Sequence, residues 1–147
     1  MNKVILQKIS KSKKLPSKKL FKKWVDKALS NHKKNYEVVI RIVGIIEITS
    51  LNKKYRKKNR PTNIISFQFE PPKEIKTNLL GDLVICAPIV SKEAKLQHKT
   101  LQAYLAHLTI HGVLHLLGYT HEKTQPAKKM EAMEIKYLKQ LGIANPY

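Results

Sequence analysis

The sequence predicts a single α+β domain in which about four strands form a mixed sheet with helices around it and a metal site on a central helix and the turn after it. Three observations lead there. Short runs rich in β-branched and aromatic residues, near 3–9, 36–43, 63–69 and 79–87, are mixed in order with longer stretches of helical periodicity. The 147 residues, 42% of them hydrophobic, are enough for one domain (1–147) with its own core. No apolar run in the chain approaches the roughly 18 residues that cross a bilayer.

KVILQKI (3–9) reads as a short strand. Pro16 then opens a helix in which Leu20, Phe21, Trp24, Val25, Ala28 and Leu29 make an apolar stripe with lysines opposite. YEVVIRIV (36–43) alternates and is β-branched, the pattern of a strand. Ser50 is expected to cap a short helix with Leu51 and Tyr55 on its inner face and Arg56 near its end. KKYRKKNR is expected to be a basic loop, with Pro61 blocking helix continuation. In NIISFQF the residues Ile65, Phe67 and Phe69 share one face of a strand. EPPKEIKTN is a polar, proline-containing loop, and LLGDLVICA (79–87) is a further strand. Asp82 stands out in that strand and is read either as a second-shell carboxylate or as a turn residue. Helices are expected over about 90–98, 100–117 and 125–141, the last with Met130, Met133, Tyr137, Leu138 and Leu141 facing inward.

Cys86 is the one cysteine, so no internal disulfide forms; its apolar neighbours suggest a buried thiol, and a reducing cytoplasm fits. The N-terminal segment has no long apolar core and no small-residue cleavage site, so it does not read as a signal peptide, and no membrane partner is expected. A net charge of +19 favours a polyanionic partner. That inference is weakened by the skew of the basic residues, 26 lysines against the three arginines Arg41, Arg56 and Arg60.

The most informative stretch is HGVLHLLGYTH, a pattern H-x-x-x-H-x-x-G-x-x-H carried by His111, His115 and His121. Residues four apart lie on one helix face, about one turn from each other. Gly118 can adopt a left-handed conformation that stops the helix and turns His121 back toward the first two. Three converging neutral imidazoles with an open fourth position are the arrangement of catalytic zinc, one ion per chain. The plainer alternative is a buried helix whose histidines bond backbone carbonyls. The spacing is that of the metzincin peptidases, except that Gly112 stands where those enzymes carry the glutamate that serves as general base. His107, one turn earlier, is read as packed or hydrogen-bonded, and His32 and His98 as exposed.

HGVLHLLGYTH also resembles the HGxLHLxGYDH signature of the YbeY-type metallo-endoribonucleases, the bacterial rRNA maturation factors. LNKKYRKKNRPTNIISFQFE, LLGDLVIC and MEAMEIKYLKQLGIANPY are similar to further segments of that family, in the right order over about residues 50–147. The resemblance implies zinc on His111, His115 and His121, and cleavage of single-stranded RNA. It further implies a role at the 3′ end of small-subunit 16S rRNA and in ribosome quality control, with the small ribosomal subunit and its associated factors as partners. The family's functional arginine falls on Arg56, which would hold the scissile phosphate beside the metal on His111. Lys53, Lys54, Lys57, Lys58 and Arg60 would then follow the RNA backbone. Thr120 stands where the signature has Asp, so second-shell support for a ligand imidazole is expected to be weaker. The general base stays unassigned. A metallopeptidase and a noncatalytic, zinc-containing ribosome-binding protein are the rival readings.

Overall fold

Strands β1 (Lys3–Lys8) and β2 (Glu37–Val43) pair in parallel and are joined through helix α1 (Lys18–Ala28). The computed structural model describes residues 2–9, 15–119 and 124–147. Strand β4 (Leu79–Cys86) adds in parallel to β2, and β3 (Ile64–Gln68) pairs antiparallel with β4. The order β1-β2-β4-β3 leaves β3 as an edge of a mixed four-stranded sheet, the α+β architecture expected from the sequence. Helix α2 (Ile45–Arg56) lies between β2 and β3, and α3 (Ala87–Leu96), α4 (Leu101–Leu116) and α5 (Thr124–Gln140) follow β4.

Side chains alternate across each strand, so the sheet buries two unequal faces. Val38, Ile40, Ile42, Leu83 and Ile85 point into the main core with Phe21, Trp24 and Val25 of α1 and Leu105, Ile110 and Leu114 of α4. On the other face Val43, Val84, Ile65 and Cys86 pack against Ile48 of α2 in a smaller cluster. Burial also raises the pKa of the Cys86 thiol, which makes it a poor nucleophile. Among the described residues no helix is long and apolar enough to cross a membrane.

Helix starts follow local chemistry. Ser17 accepts a hydrogen bond from the Leu20 N–H, and Thr100 accepts one from the Ala103 N–H. Helix α2 departs from expectation: it begins after Gly44, Ser50 lies inside it, and Lys53–Arg56 form its last turn rather than a loop. The β-branched run Ile45, Ile46, Ile48, Thr49 hides that start, because helix propensity there is weak and burial of Ile48 against the sheet overrides it. Tyr55, expected on the inner face, is 56% exposed.

Helix α4 is apolar on almost every side because it lies between the sheet, α1, α3 and α5. It packs tightly on the sheet at Gly112, where an added Cβ would come within 2.7 Å of the Leu83 Cδ2 and 3.1 Å of the Ile64 Cδ1. The position that holds the peptidase glutamate in metzincins therefore faces a filled core. Gly118, with φ of 100°, ends α4: its N–H reaches the His115 carbonyl at 2.9 Å and the Tyr119 N–H reaches that of Leu114 at 3.1 Å, a Schellman ending. Gly112→Glu should cost roughly 3 kcal/mol or more, since it drives an unpaired carboxylate into that core. Urea denaturation checks this; a midpoint equal to the parent's would mean that position 112 does not face the sheet.

Candidate active site

Helix α4 carries His107, His111 and His115 at successive turns. The Nε2 atoms of His111 and His115 lie 3.1 Å apart. Two nitrogens bound at zinc distances in a tetrahedral shell would be separated by about 3.3 Å, so the pair already has the spacing of two ligands to one ion. His121 and Thr120 lie outside the described residues.

The other nitrogen of His111, Nδ1, lies 2.5 Å from Oε1 of Glu134 on α5. Glu134 is buried; the Tyr147 hydroxyl donates to its Oε2, and the His107 Nε2 lies 3.6 Å from its Oε1. Burial by itself would raise the pKa of this carboxyl, but the nearby His107 and the hydrogen bonds with His111 and Tyr147 outweigh it and push the value down to about 2. Glu134 is therefore an anion, and an anion at Nδ1 keeps the proton there and directs the His111 Nε2 lone pair toward His115. The Tyr147 pKa is raised in turn, by burial and by its bond to Glu134, so the phenol stays a donor.

His107, His111 and Glu134 form a group that could hold a metal ion, their ligand atoms lying within 4.8 Å of one another. That group sits on the buried side of His111. The Nε2 side opens onto a cavity of about 820 Å³ lined by His111 and His115 but not by His107 or Glu134. His111 belongs to both arrangements, through Nε2 to the pair with His115 and through Nδ1 to the group with Glu134.

The same cavity wraps over the free edge of β3 and is lined across it by Tyr55, Arg56, Thr62, Asn63, Ser66 and Phe67, among others. Gln68 of β3 donates to the His115 carbonyl at 3.1 Å, tying the edge strand to the end of α4. Arg41 is engaged by Glu47 at 2.7 Å, whereas Arg56 is exposed and lines the cavity. Lys53, Lys54, Lys57, Lys58 and Arg60 are exposed on the end of α2 and the following loop, and none of them lines the cavity. That loop is pinned by buried Asn52, whose amide donates to the Arg60 carbonyl at 2.8 Å.

Asp82 lies on the other face of the sheet from His111 and His115. It pairs across the sheet with Phe67 and so lies on the α2 face, opposite to Gly81 and Leu83, which meet α4. Partial burial raises its pKa. The carboxylate that does reach His111, Glu134, went unrecognised in the sequence. Its signal was present: it stands four residues after Met130 and three before Tyr137, a charge within the buried stripe of α5.

A family model described as Endoribonuclease YbeY matches residues 5–142. The chain belongs to this family. A relative called Endoribonuclease YbeY, from Colwellia psychrerythraea (strain 34H / ATCC BAA-681), is 49% identical over 138 residues, covering 91% of this chain and 89% of that protein. The solution structure of TM1509 from Thermotoga maritima has the same fold, with a TM-score of 0.58 at 23% identity over 95% of this chain and 91% of that one. Its contact with His111 makes Glu134 the residue of this YbeY-family chain to test. Glu134→Gln should keep the fold and weaken metal retention by roughly 10–100-fold, the usual effect of removing a carboxylate behind a ligand histidine. Competition with a chelator measures it, and unchanged retention would leave Glu134 with a purely structural role.

Proposed function

We propose that this chain is a zinc-dependent endoribonuclease that cuts single-stranded RNA, acting at the 3′ end of small-subunit rRNA and in ribosome quality control in the cytoplasm. One observation carries the reading: Arg56, His111 and His115 line one cavity, so a holder for phosphate and a pair of metal ligands open into the same space. Family membership supports RNA as the substrate class; the small ribosomal subunit with its associated factors is the partner set this reading adds.

In this reading His111, His115 and His121 hold one zinc ion. The bound ion supplies Lewis acidity toward a phosphate oxygen and a water of lowered pKa. Glu134 keeps His111 in the tautomer whose Nε2 accepts the ion. Arg56 grips the scissile phosphate with its planar fork and meets the charge that builds on it during cleavage. Lys53, Lys54, Lys57, Lys58 and Arg60 hold the flanking phosphates without reading sequence. None of the described residues lining the cavity is Asp or Glu, so no carboxylate base is assigned there; the attacking group is water or the RNA 2′-hydroxyl. Product ends distinguish these: a 2′,3′-cyclic phosphate identifies the 2′-hydroxyl, and a 3′-hydroxyl end identifies water.

The peptidase alternative lacks its base, because Gly112 faces Leu83 in the core. Casein should therefore stay intact while single-stranded RNA is cut, and a chelator should stop the cutting. Metal analysis should find one zinc per chain, and His115→Ala or His121→Ala should abolish tight binding; full occupancy in either variant would overturn the ligand set.

Arg56→Ala should keep zinc and fold yet lose most RNA cleavage, on the order of 100-fold or more, with Arg56→Lys restoring only part of it. Cleavage at the parent rate by the alanine variant would make Arg56 an ordinary solvated charge. Thr120→Asp should hold zinc more tightly against a chelator, because a carboxylate polarises a ligand imidazole more strongly than a hydroxyl does. Weaker retention would remove the second-shell role proposed for position 120.

A further inference from the structure

The cavity has a second half that phosphate binding and metal chemistry do not use. Tyr55 stands in the last turn of α2, on the opposite side of edge strand β3 from the histidine pair, and is 56% exposed. An exposed tyrosine is common, but this one is held in place. Its ring meets Phe67 of β3 at a centroid distance of 5.1 Å and an interplanar angle of 76°, an edge-to-face contact that fixes the ring without enclosing it. Phe67 is itself anchored against the small cluster of Ile48, Ile65 and Val84. The Lys54 ammonium lies 5.2 Å from the Tyr55 ring centroid, within cation–π range.

We infer that Tyr55, backed by Phe67, is a stacking site for one unpaired base of the RNA whose phosphate Arg56 holds. The proposal rests on the endoribonuclease reading and adds a recognition element to it. Adjacent residues on one helix end supply the two contacts a single strand offers, a ring for the base from Tyr55 and a guanidinium for the phosphate from Arg56. Charge complementarity favours RNA as the occupant, since the Lys54 ammonium lies against the ring and Lys53, Lys57, Lys58 and Arg60, all exposed, stand within five residues of it in the chain. An arriving phosphate offers Lys54 a stronger partner than the ring and so uncovers the face on which a base would stack. A base paired in a duplex has both faces occupied by its neighbours, so this site selects single strands independently of the metal.

The test uses metal-loaded protein and a single-stranded 2′-O-methyl RNA, checked intact at the end of each measurement and carrying 2-aminopurine, whose fluorescence falls when it stacks on an aromatic ring. The parent should quench it, and Tyr55→Phe should match the parent. Tyr55→Leu keeps an apolar cover over Phe67, and should lose the quench and bind roughly tenfold more weakly at unchanged zinc content. An abasic residue walked along the oligonucleotide should reveal one sensitive position in the parent and none in Tyr55→Leu. Equal affinity and equal quenching in parent and Tyr55→Leu, or the same abasic profile in both, would overturn the stacking site. If the quench depends on Tyr55 but no RNA is ever cut, the endoribonuclease reading fails and the stacking site stands.

Discussion

The burial of α4 is the constraint on which the rest of the site depends. A helix apolar on nearly every side must bury most of its surface, so it is packed between the sheet, α1, α3 and α5. Gly112 lets its backbone approach Leu83 and Ile64, and this contact sets the rotation of the helix about its own axis. With Gly112 turned to the sheet, His111 and His115 are turned to the end of β3, where the cavity opens. One residue thus explains both where the imidazoles point and why a carboxylate cannot follow the first of them in the chain.

Enclosing α4 also places a charge in the interior. Glu134 arrives on α5 among buried Met130, Tyr137 and Leu138, and an unpaired carboxylate there would be costly. His111, Tyr147 and, at longer range, His107 surround it. The pairing stabilises the anion, and the anion in turn orients His111. The same set of hydrogen bonds satisfies a buried charge and fixes the orientation of an imidazole that lines the cavity.

The edge of the sheet divides the labour of the cavity. Edge strand β3 has α4 behind one face and the end of α2 behind the other, and it is tied to α4 by the Gln68 side chain. The imidazoles therefore stand on one side of the strand, and the arginine and tyrosine of α2 on the other. A ligand that reaches both must cross the edge in an extended form, a demand that a flexible single strand meets more readily than a stiff duplex.

The sequence by itself determined the strands, most helix limits, the helix-ending role of Gly118 and the pairing of His111 with His115. These depend on local periodicity, capping and turn chemistry, which act over a few residues. The start of α2 escaped because its β-branched residues favour a strand locally, and only burial of Ile48 makes them helical. Asp82 and Glu134 were beyond local reasoning for another reason. Which face of β4 carries Asp82 depends on its register with β2 and β3, and which carboxylate meets His111 depends on how α5 packs on α4, 23 residues away in the chain. Tertiary packing decided both, because a side chain's partner across the core is set by the summed packing of all the elements between them.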